Sequence, residues 1–82
     1  MDLWRRGSYE RLCMATIYEV RNWVEKTGPA RSVDRFRMKL LPHSVRERIN
    51  FDQLNPTTEV SDTYMQAAIK IAGEVVGKPF AA

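Results

Sequence analysis

Three of the four prolines of this chain fall between stretches of helical periodicity and the fourth follows the last of them, and they set the segment lengths before any other feature is considered. The breaks are Gly28-Pro29, Pro42, Asn55-Pro56 and Gly77-Lys78-Pro79. Each interval between them is long enough for a helix, and none offers the paired alternating runs of a sheet. The fold expected from this pattern is an all-α, compact four-helix domain ordered long, short, short, long. The helices are expected at about 9–27, 32–41, 45–54 and 58–76, within one domain spanning 1–82. The ends, 1–8 and 78–82, are candidates for flexibility.

In the first segment Cys13, Ile17, Val20 and Val24 recur at helical spacing, and Gly28 followed by Pro29 stops the helix, with Gly28 read as its left-handed cap. Two starts compete: Ser8, or Thr16, which with Glu19 has the spacing of a capping box. In the second segment Val33, Phe36 and Leu40 share a face, and Ser32 is a fair cap. Phe36 to Leu40 also alternates apolar and polar, as a half-buried strand would. A helix is preferred because a lone strand leaves backbone groups unpaired. In the third, Ser44 and Glu47 form a second capping box, with Val45, Ile49, Phe51 and Leu54 inward. The fourth is the strongest: Val60, Tyr64, Ala68, Ile71 and Val75 make one stripe, and Met65, Ile69, Ala72 and Val76 a neighbouring one. Gly77 ends it, and Phe80 either folds back or frays with the tail.

A helix apolar over so much of its surface is central to the fold or part of an oligomer interface. Tyr64, Ala68 and Ala72, with Trp4 near the N-terminus, are therefore expected at a dimer or partner interface. A homodimer is the expected assembly.

Chemistry is sparse. The single cysteine, Cys13, excludes an internal disulfide, and His43 is the only histidine. Cys and His together cannot furnish a closed zinc site, and no glycine pair has a phosphate-loop or dinucleotide spacing. No enzyme, no cofactor, no metal and no small-molecule substrate is expected. No apolar run reaches the ~20 residues of a membrane span, and none follows Arg5-Arg6 as a signal peptide would require. The expected location is cytoplasmic.

Charge is more informative. From Lys26 to Arg48 the chain carries seven basic residues against Asp34 and Glu47, within a net charge of +3. Such a stretch suits phosphates or an acidic protein. Two short helices joined by Pro42-His43-Ser44 have the lengths of a helix-turn-helix. The leading expectation is a small regulatory DNA-binding protein built on that pair, residues 32–54. Ser44, Arg46, Glu47 and Arg48, with Asn50 a turn later, would face bases, and Arg31, Arg35, Arg37 and Lys39 phosphates. The alternative is a protein-binding module or inhibitor whose basic surface and exposed aromatics contact a protein partner of acidic character.

Overall fold

In a computed structural model, residues 15–80 are described. The expectations for Trp4, Cys13, the Ser8 cap and the ends 1–8 and 81–82 lie outside them. The described residues are helical and contain no strand. They form three α-helices, not four: α1 (Ile17–Thr27), α2 (Ser32–Glu47) and α3 (Asp62–Val76), with a single 3₁₀ turn, Phe51–Gln53, between α2 and α3.

α1 begins at the second of its two competing starts. The Thr16 hydroxyl accepts from the Glu19 amide at 3.1 Å, and Glu19 Oε1 accepts from the Thr16 amide at 3.2 Å. That closes the capping box and satisfies two donors the helix leaves unpaired. Gly28 ends α1 in an extended conformation, φ −84° and ψ 167°, rather than a left-handed one. Its requirement is space: a Cβ there would stand 2.9 Å from the Val24 carbonyl oxygen and would collide with the Ser32 side chain. Gly77, at φ 94°, does take the left-handed conformation that ends α3.

α3 starts later than the sequence suggested. Thr58 Oγ1 accepts the Asn55 amide at 3.0 Å, and Asn55 Oδ1 accepts the Thr57 amide at 2.9 Å. Those side chains are spent on the turn around Pro56, so the cap passes to Ser61, whose hydroxyl accepts from the Tyr64 amide at 3.1 Å.

α3 is the centre of the fold and packs on both α2 and α1. Ile17, Val20 and Val24 of α1, Phe36 and Leu40 of α2, and Tyr64, Ala68 and Ala72 of α3 have no exposed surface. Fully burying a large apolar side chain of this kind contributes roughly 1.5–3 kcal/mol. Phe36 meets Phe51 edge-on, with centroids 5.6 Å apart, so the 3₁₀ turn caps the same core. The tail folds back: Phe80 is buried against Trp23, edge to face at 5.1 Å. As it returns, the Lys78 carbonyl oxygen comes within 3.4 Å of where a Cβ on Gly73 would be. The tail thus passes at van der Waals distance from residue 73.

Candidate interaction face on the second helix

The largest departure from expectation lies at Pro42. Where a turn was expected between two short helices, α2 runs through the proline without interruption. A proline inside a helix removes one hydrogen bond and crowds the carbonyl four residues earlier, here Met38, at about 3 kcal/mol. Three observations explain why the helix continues. Ser32, Phe36, Leu40 and Ser44 are all buried at four-residue spacing, so contacts on both sides of the proline hold one axis. Pro42 itself is exposed, so its ring points away from the core. Beyond it, two links tie the last turn to α3. The Ser44 and Tyr64 hydroxyls are 2.7 Å apart in the interior, and Ser61 Oγ donates to Glu47, 2.7 and 2.8 Å from its two carboxylate oxygens.

This removes the helix-turn-helix pair at 32–54 as an architectural element. The 45–54 segment is the end of α2, a short link through Arg48, Ile49 and the extended Asn50, and the 3₁₀ turn followed by Leu54. Ser44 and Glu47 form no capping box, because both side chains are bonded to α3. Ser44 is buried and cannot reach a base edge. Asn50 Oδ1 instead accepts the Asp52 amide at 3.0 Å and caps the 3₁₀ turn. Tyr64, Ala68 and Ala72 are likewise withdrawn from any dimer interface: all three are wholly inside the chain's own core.

The basic residues fare differently. Arg31, Arg35, Lys39, Arg46 and Arg48 are exposed, and Arg37 is half-buried. Arg31 and Arg48 flank the two ends of α2, and both hold left-handed backbone, φ 67° and φ 57°. Such a conformation costs an L-residue roughly 1–2 kcal/mol, which is why glycine usually takes it.

Among these cations lies a feature that the segment-by-segment reading missed. Met38, Leu41 and Val45 are 58%, 42% and 68% exposed. Their spacings of three and four place them on one stripe of α2, facing away from Phe36 and Leu40. The sequence reading placed Val45 in the core of a separate helix and associated Met38 with a possible strand. With 32–47 read as one helix, the stripe follows from the numbering alone. Its N-terminal end borders a shallow groove of about 490 Å³, lined by Ala30, Arg31, Asp34, Arg35, Met38 and Lys39.

Asp34 is the acid that remains on this outward side, since Glu47 is engaged by Ser61. His43 is half-buried on α2. Burial pushes the Tyr64 phenol above its ordinary value; the Ser44 hydrogen bond opposes that rise, and the nearby Glu47 charge adds to it. Tyr64 is thus a neutral structural donor or acceptor. Among the described residues, no helix is long and apolar enough to cross a membrane, and no group of three or more His, Cys, Asp or Glu side chains is gathered at one place. No protein-family model matches the chain, and no characterised protein or solved structure is significantly similar to it.

Proposed function

We propose that the protein is a non-catalytic interaction module that presents the outward face of α2 to an acidic protein partner. The observation that carries this reading is the exposure of Met38, Leu41 and Val45 together inside a frame of basic side chains. A solvated helix face needs no apolar stripe, and apolar anchors at three- and four-residue spacing are the usual means by which one helix engages another surface. The surrounding cations would steer an acidic partner and fix its orientation.

A photoreactive residue placed at position 45 of the full chain tests the reading in the cells that express it. A discrete protein adduct that disappears with Leu41→Gln is the expected result. No adduct, or an adduct indifferent to Leu41→Gln, overturns it.

Nucleic-acid binding is the second reading, without the helix-turn-helix. Arg31, Arg35, Lys39 and Arg46 lie along one side of α2, all exposed, and such a row can accept phosphates. The apolar stripe beside that row is what favours protein over phosphate backbone. Titration of a mixed-sequence duplex across a salt series separates the two. Steeply salt-dependent binding that Arg46→Ala weakens and Leu41→Gln leaves unchanged favours nucleic acid.

A further inference from the structure

Resting on the reading of α2 above, we infer that the occupant of its outward face is an acidic amphipathic helix of a partner protein. The stripe Met38, Leu41, Val45 has the three-then-four rhythm of a helix-pairing seam. It is a ridge on one continuous helix, and a second helix packs along such a ridge at an axis separation of about 8–10 Å. The groove formed by Ala30, Arg31, Asp34, Arg35, Met38 and Lys39 continues the seam toward the N-terminus and would receive a further side chain.

Charge selects among the possible helices. One flank of the seam carries Arg35, Lys39 and Arg46, and the other carries Arg37, with Arg31 and Arg48 at the two ends. Asp34 alone opposes them on this face, because Glu47 is bonded to Ser61. A second copy of this chain would bring one basic frame against another, which like-charge repulsion disfavours. The chain's own first fourteen residues hold Arg5, Arg6 and Arg11 against Asp2 and Glu10, so they offer no acidic complement either. An acidic helix with apolar residues at the seam satisfies both the stripe and its frame. The two flanking arginines take left-handed backbone as the caps of α2, and so place a positive charge at each end of the face.

The test uses the full chain and a synthetic helical peptide with Leu at the seam positions and Glu on both flanks, whose charges keep it from pairing with itself. A matched peptide carries Lys in place of every Glu. Fluorescence anisotropy is expected to show the acidic peptide binding at least tenfold more tightly than the basic one, with that binding lost in Leu41→Gln and in Val45→Gln. Because both positions are exposed, thermal melts of the two variants should match the parent and exclude misfolding. Equal binding of both peptides overturns the inference. So does acidic-peptide binding that survives Leu41→Gln, which is an electrostatic contact only. Self-association in sedimentation that Leu41→Gln abolishes identifies a second copy as the occupant and also overturns it. If neither peptide binds while the position-45 protein adduct persists, the helix inference fails and the broader reading stands. If both are absent, the broader reading fails with it.

Discussion

The two faces of α2 have similar composition but opposite fates. The inner face holds Phe36 and Leu40 with no exposed surface, together with Ser44; the outer holds Met38, Leu41 and Val45, each more than 40% exposed. Both faces are apolar at helical spacing, so hydrophobicity alone does not decide which one folds inward. Two things separate them. The inner side chains have partners at fixed positions: Phe51 stands edge-on to Phe36, and the Tyr64 hydroxyl bonds Ser44. The outer ones are interleaved with cations whose hydration would be lost on burial, so that face stays outside. An apolar stripe left outside by its charged neighbours is available to a partner that brings charges of the opposite sign.

The comparison predicts unequal mutational costs. The largest is at Phe36: Phe36→Ala leaves a cavity and removes the ring contact with Phe51, and chemical denaturation should show a loss of about 3–5 kcal/mol. Met38→Ala, two residues away, should cost under about 0.5 kcal/mol in the same assay. Comparable costs at the two positions would mean that Met38 is not on an outer face.

Removing the proline sharpens the same contrast along the helix axis. Pro42→Ala restores the amide that pairs with the Met38 carbonyl, but it also loosens the unfolded chain. The net expectation is a gain of about 1–2 kcal/mol, visible as a higher melting temperature. A loss would indicate that the helix is built around the ring.

The buried hydroxyl pair comes next. Tyr64→Phe strands the Ser44 hydroxyl in the interior and should cost about 1–2 kcal/mol at neutral pH, and the double variant with Ser44→Ala should recover part of that. Tyr64 also predicts a pH dependence. Its folded pKa is raised, so the unfolded chain releases the phenolic proton first as pH climbs. The stability this group contributes is therefore whole below about pH 10 and is lost as pH rises through the folded value. Denaturation curves from pH 8 upward should show that alkaline decline in the parent, and less of it in Tyr64→Phe.

A smaller effect is expected at the end of the exposed face. Arg48→Gly relieves the left-handed backbone and should stabilise the fold by about 0.5–1 kcal/mol, while weakening binding of the acidic peptide. Opposite signs for stability and binding are the expected signature of a residue retained for its charge.

Much of this was legible in the residues themselves. Gly77 announced the end of α3, and the Tyr64, Ala68 and Val75 spacing its buried stripe, because each depends on atoms a few residues apart; the Thr16-Glu19 spacing marked one of two competing starts for α1, and the expected 9–27 helix begins later, at Ile17. The basic excess from Lys26 to Arg48 needed only counting. The exposed stripe of α2 was not legible, because it depends on Pro42. In isolation a proline after Leu40-Leu41 ends a helix, and the seam from Met38 to Val45 is then cut in two.

What the sequence determined by itself was the helical class, the Gly77 cap and the uneven charge, all local consequences of side-chain chemistry and backbone geometry. What the tertiary structure decided was that α2 continues through Pro42 and thereby aligns Met38, Leu41 and Val45. The reason is that the contacts outweighing the proline's cost come from afar: Ser44 is bonded to Tyr64 and Glu47 to Ser61, twenty and fourteen residues along the chain. No local window contains both partners of either bond.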